Sequence, residues 1–235
     1  MPTEEIPDQT DLLAAVTELG SALRELVEAS VTTTVAPAEL HAAAAAAREI
    51  TARLEVRRRT RDQLSALDDP VQFRRVFNPV SGVGSALAPP LQIRQVDGGV
   101  VAEATLGLPY EGPPGYVHGG MSALLLDQLL GTAAHAAGLW GMTAQLELDY
   151  RRPVPLGTPL LLRATVGERR GRRVAITGSI ARAEEPDQPL VQARGMWVTP
   201  RPEQVEEYFG SITDAAGRPS RPRHPDDAAP VADGA

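Results

Sequence analysis

The residues best able to do chemistry lie together in residues 115–131, GYVHGGMSALLLDQLLG. Three glycines and His118 come first. An apolar run follows, interrupted only by Ser122, Asp127 and Gln128. A run hydrophobic nearly all round reads as a core helix. An ionised carboxylate buried there is costly unless something compensates it. On its own helix face Asp127 has Gly120, Ala123, Gly131 and Ala134 as neighbours, all small, so it is expected to look onto a slot. The triplet His118-Gly119-Gly120 falls where the helix starts. Amides there are unpaired and the helix dipole favours negative charge, which makes the turn a natural cradle for an oxyanion. Glycine also lets a ligand carbonyl approach the backbone closely. Simpler roles exist for each residue: a glycine-rich turn without a ligand, His118 as a helix cap, Asp127 paired with an arginine.

Spacing adds a constraint. Gly119 and Asp127 are eight residues apart, which along a helix is ~12 Å. A reacting carbonyl is touched at about 3 Å, so one chain cannot reach it with both groups. If both act on one substrate, the second belongs to another protomer and the site spans a dimer interface.

The elements that must hold these residues can be read in outline. From Asp11, the apolar positions Leu12, Val16, Leu19, Leu23 and Leu26 mark one helix. VTTTVAPAE breaks it, and a second helix runs to about Arg59 with Leu40, Ala43, Ala47, Ile50 and Leu54 on one face. The cluster Arg57, Arg58, Arg59 and Arg61 complements that helix's C-terminal dipole or grips an anionic partner. Residues 62–90 read as a linker; SGVGS within them has neither the preceding strand nor the lysine of a phosphate loop. LQIRQV, Asp97-Gly98-Gly99 and VVAEATLGL form a hairpin. After the central helix, which stops near Gly138, MTAQLELDYRR alternates. Met142, Ala144, Leu146, Leu148 and Tyr150 share one face, and Thr143, Gln145, Glu147, Asp149 and Arg151 the other. Three more strands complete a four-strand meander, with RRGRR as a hairpin tip around Gly171. PEQVEEYF makes a short helix, and from Gly210 the composition is that of a disordered tail. The parts pack economically as an α+β fold, an antiparallel sheet wrapped around one long buried helix and preceded by a helical hairpin. The expected division is 1–65, 66–200 and 201–235. Open sheet edges invite a second copy.

Composition narrows the function. The 235 residues contain no cysteine, which removes thiolate chemistry and disulfides and fits a reducing, cytoplasmic setting. All 23 basic residues are arginine, so Schiff-base chemistry is excluded. A net charge of -7 and aromatics at 4% argue against nucleic-acid binding. No apolar stretch is long enough for a membrane span. The histidines His41, His118, His135 and His224 are too scattered for a metal site, and His135 is expected to be structural or exposed. Neither metal nor cofactor is expected.

HGG, an aspartate nine positions after the histidine, and a strand written TAQLELDYRRPVPLG together resemble the hotdog-fold acyl-CoA thioesterases of the 4-hydroxybenzoyl-CoA thioesterase superfamily. The likeness is strongest to the branch holding thioesterase superfamily member 4 and the bacterial phenylacetate-pathway thioesterase. It covers about residues 78–200. The resemblance implies that Asp127 is the catalytic carboxylate, as nucleophile or as general base toward water. It implies that the Gly119 amide polarises the thioester carbonyl beside His118 and Gly120, and that Thr143 positions the attacking water. Tyr150, Arg151 and Arg152, with Arg170 and Arg172 among the arginines around Gly171, fall where the family contacts coenzyme A. The polar residue that some relatives place before HGG has only Glu111 as its counterpart. The implied partners are an acyl-CoA substrate and a second copy of the chain, as a homodimer or dimer of dimers. The alternatives are a non-catalytic acyl-CoA-binding scaffold and a hotdog enoyl-CoA hydratase. The hydratase would want a histidine paired with the acid.

Overall fold

The structure, a computed structural model, describes residues 9–69 and 74–220. Its order is α1 (Gln9–Thr32), α2 (Pro37–Leu54), β1 (Gln92–Val96), β2 (Gly99–Ala104), a 3₁₀ turn at Leu108–Tyr110, α3 (Gly119–Ala136), β3 (Met142–Tyr150), β4 (Leu160–Arg170), β5 (Arg173–Arg182), β6 (Val191–Val198) and α4 (Pro202–Phe209). The strands form one antiparallel sheet in the order β1-β2-β4-β5-β6-β3. The sheet wraps α3, whose Leu125, Leu126, Leu129 and Leu130 are fully buried with Leu160, Leu162, Ile176, Ile180 and Val191. This is the wrapped-helix α+β fold that the sequence predicts. No helix among the described residues is long and apolar enough to cross a membrane.

Several details differ from the sequence expectation. Only β4, β5 and β6 form a meander; β3 pairs with β6 at the far edge, not with β4. The connection after β3 is held under the start of α3, where the Val117 amide donates to Val154 O at 2.8 Å and the Leu156 amide to Gly115 O at 3.0 Å. A chain tied there cannot turn back as a hairpin. The supposed linker is part of the core, with Leu67, Val76, Val80 and Ala88 buried. Its irregular backbone is held locally: Asn78 Oδ1 accepts from the Val80 and Ser81 amides at 2.8 and 3.0 Å. Residues 210–220 are also placed, with Thr213 bridging both Gln63 and Pro219, so the expected disorder does not describe them. The rest of the expected tail, including His224, and residues 1–8 lie outside the described residues.

The first helix docks on only part of the expected stripe: Leu12, Val16 and Leu23 are half-buried, with Val16 against Gly84. Leu19 and Leu26 are exposed, whereas Gly20 is buried. Any side chain at Gly20 would run into the Val83 carbonyl, so glycine is what permits α1 to lie this close. One turn on, Arg24 Nη1 donates to Val83 O and Ser85 O, both at 2.9 Å. The second helix leaves Leu40, Ile50 and Leu54 exposed. Gly20→Val should therefore loosen α1 and lower Tm by on the order of 5 °C, the scale of moderate overpacking in a chain of this size. A thermal melt within a degree of the parent would mean that this close approach contributes little.

Candidate active site

The start of α3 fixes the geometry. His118 caps the helix, its Nδ1 accepting from the Gly120 amide at 3.0 Å. The Met121 and Ser122 amides bond to His118 O, and the His118 amide to Tyr110 O at 2.9 Å. The Gly119 amide is left with no hydrogen-bond partner among the described residues. A helix N-terminus normally offers several free donors; here a single amide remains to meet an oxyanion. The capping role of His118 is thus realised, and Gly120 contributes by receiving that cap. Beyond the His118 ring, a side chain at Gly120 would meet open space.

Tyr150, at the end of β3, leans over this turn. Its hydroxyl donates to Gly119 O at 2.9 Å, and its ring would touch a Cβ at Gly119 at 3.4 Å. The residue expected at coenzyme A is therefore engaged with the cradle of its own chain. Ahead of the turn, Glu111 Oε1 accepts from the Gly115 amide at 2.8 Å and shapes the GPPG loop.

Asp127 is half-buried in the single chain, not enclosed as its apolar neighbours suggest. Its Oδ1 accepts a hydrogen bond from Thr143 Oγ1 at 2.8 Å. Neither an arginine nor His118 pairs with it among the described residues. The slot of small residues is real only toward the N-terminus of α3. At Gly131 the space is filled by Trp197, whose ring would lie 2.7 Å from an added Cβ, and Ala134 is in the core.

Strict alternation puts Thr143 on the face away from Leu146 and Leu148. The structure reverses this with a bulge: Thr143 pairs with Trp197 and Gln145 with Met196, which leaves Ala144 extra. One extra residue flips every side chain before it to the opposite face. Thr143 thereby joins Leu146, Leu148 and Tyr150 on the helix side, where it reaches Asp127. A period-two reading of MTAQLELDY has no means of finding this.

Sequence reasoning missed a support beside the acid. Asn78 Nδ2 donates to Gln128 Oε1 at 2.7 Å, and Gln128 Nε2 to Thr132 Oγ1 at 3.2 Å, fastening the 78–81 loop to α3 next to Asp127. The signal available was Gln128 itself, a second polar residue in the apolar run.

The arginines fall into two groups that one chain does not bring together. Arg151 pairs with Asp149 at 2.9 Å and Arg152 donates to Gln188, both at the Tyr150 end of β3. Arg170 pairs with Glu168 at 2.8 Å and Arg172 donates to Thr199 O at 2.8 Å. These last lie near the Met142 end, since Arg173 and Met142 both register with Val198. The full length of β3, roughly 26 Å at ~3.3 Å per residue, separates the groups.

Residues 114–188 match the family model described as thioesterase superfamily. A crystal structure of a thioesterase superfamily protein is 38% identical to the chain, with a TM-score of 0.70, covering 78% of this chain and 94% of that one. Acyl-coenzyme A thioesterase THEM4 of Mus musculus is 32% identical over 114 residues, 48% of this chain and 47% of that protein. The Xenopus laevis protein of the same name is 45% identical over 69 residues, 28% of this chain and 30% of that protein. The chain thus spans less than half the length of these curated relatives.

Proposed function

We propose that this chain, which belongs to the thioesterase superfamily, hydrolyses an acyl-CoA thioester to the free acid and coenzyme A. The observation that carries the reading is a carboxylate held by a hydroxyl, Asp127 with Thr143, on the same helix whose N-terminus keeps one free amide, Gly119. A thioester is activated enough for these two groups to suffice. The Gly119 N–H and the helix dipole stabilise negative charge on the carbonyl oxygen as the tetrahedral intermediate forms. Asp127 either removes a proton from the attacking water or attacks the carbonyl carbon itself, with water then hydrolysing the anhydride. Both routes need the ionised carboxylate, which the Thr143 hydroxyl orients by donating to Oδ1. Collapse breaks the C–S bond, and the thiolate leaves as coenzyme A.

The acid and the amide act in trans in this reading. Their ~12 Å separation along α3 requires it. The outer edge of β3 offers an unpaired backbone, and Met142 and Tyr150 on that strand are exposed, as is Leu124 of α3. A second copy against β3 would cover them and bring one protomer's Gly119 toward its partner's acid. Such an antiparallel pairing would also draw together the two arginine groups that one chain keeps apart. The catalytic domain is taken as 66–200, with 1–65 as a helical extension and 201–235 as a C-terminal segment.

The test is hydrolysis of an acyl-CoA panel followed by release of free thiol. Saturable turnover on at least one acyl-CoA is expected, and no turnover on any of them would reject the reading. For coenzyme A recognition, replacing Arg169, Arg170, Arg172 and Arg173 with alanine should raise KM for acyl-CoA on the order of tenfold and flatten its dependence on salt. A short thioester lacking the nucleotide should be indifferent to the change. Equal effects on both substrates would remove the arginines from phosphate binding.

A further inference from the structure

A cavity of about 470 Å³ opens between α1 and the start of α3, within the ~300–1,000 Å³ range of small-ligand pockets. Val27 of α1, Ala86, Leu87 and the Pro89-Pro90 pair form much of its wall, and Met121 and Leu124 of α3 line it as well. The lining is mostly apolar. Of its two charged residues, Arg24 already spends Nη1 on Val83 O and Ser85 O. The Tyr110 hydroxyl is spent on Leu87 O at 3.3 Å, a bond between two wall residues, and burial, opposed by Arg24, pushes that phenol's pKa up.

The position of this cavity decides what it is for. Tyr110 is a wall residue, and its carbonyl holds the His118 amide, so the cavity and the oxyanion turn share one stretch of chain. Gly120 lies one turn before Leu124 on the same helix face. A Cβ at Gly120 would meet no atoms but those of the His118 ring within 4 Å, so beside that ring the helix face between the Gly119 amide and Leu124 carries no side chain. A thioester whose carbonyl oxygen sits at that amide has its acyl chain beside this opening.

We propose that the cavity receives the acyl chain of the substrate, and that α1, which lies outside residues 114–188 matched by the family model, sets the chain length accepted. The inference rests on the thioesterase reading for its substrate but is read out separately. Each methylene entering an apolar cavity favours binding by up to about fourfold. In the parent protein, kcat/KM should climb from acetyl-CoA through hexanoyl-CoA to decanoyl-CoA and then level off. Val27→Trp on α1 and Ala86→Trp on the facing loop each fill the cavity from a different element. Both should cut the decanoyl-to-acetyl ratio of kcat/KM at least about tenfold while leaving acetyl-CoA turnover near the parent value. Independently of turnover, decanoate should raise the Tm of the parent protein and not that of either folded variant. Acetyl- and decanoyl-CoA losing activity in parallel, or decanoate stabilising parent and variants alike, would overturn the proposal. If no acyl-CoA is turned over, the thioesterase reading fails on its own, and the decanoate shift still decides for or against the cavity.

Discussion

Asp127→Asn is expected to slow acyl-CoA hydrolysis by at least ~10²-fold while leaving Tm and the far-UV spectrum unchanged. The substitution keeps the size and shape of the side chain. Its amide oxygen still accepts from the Thr143 hydroxyl, so the contact that orients the group survives. The residue is half-buried and makes no ion pair among the described residues, so little folding energy depends on its charge. What is lost is the lone pair basic enough to take a proton or attack a carbonyl. Thr143→Val should cost less, on the order of tenfold, because it frees the carboxylate without neutralising it. Steady-state kinetics on the two variants, with melts as the folding control, checks both. An Asp127→Asn protein that is folded and turns over near the parent rate would remove the acid from the mechanism.

The layout of the fold was largely legible from periodicity. The apolar run around Asp127 could only be a core helix, and the hairpin at Asp97-Gly98 announced itself by its turn. The identities of the chemical residues were legible too, since HGG and a lone acid stand out against leucine and alanine. Their surroundings were less so, for definite reasons. Thr143 reaches Asp127 through a bulge at Ala144, a two-against-one pairing set by the partner strand β6 and absent from the period of β3 itself. β3 departs from the meander because hydrogen bonds between residues far apart in the chain, Val117 with Val154 and Leu156 with Gly115, hold its exit. Residues 62–90 looked like a linker because Pro and Gly carry no periodic signal, yet they bury Val76, Val80 and Ala88. The docking face of α1 was read only in part, through Leu12, Val16 and Leu23, because the residue that lies closest, Gly20, is defined by what it lacks. Hydrophobic stripes count side chains and pass over such a position.

The central claim is that the amide and the acid of one working site come from two chains, and mixed dimers test it most directly. A Gly119→Val chain should block the free amide while still folding, since the nearest atom to its added Cβ would be in the Tyr150 ring at ordinary contact distance, 3.4 Å. An Asp127→Asn chain lacks the acid. Each homodimer should be nearly inactive. In a mixed dimer one interface site inherits both defects and the other neither, so one site works normally. Equal amounts allowed to exchange give half mixed dimers, and therefore about a quarter of parental activity per chain. Recovery to that level, with mixed dimers demonstrated by native mass spectrometry, is the predicted result; mixed dimers as inactive as both parents would contradict the account and place the whole site within one chain.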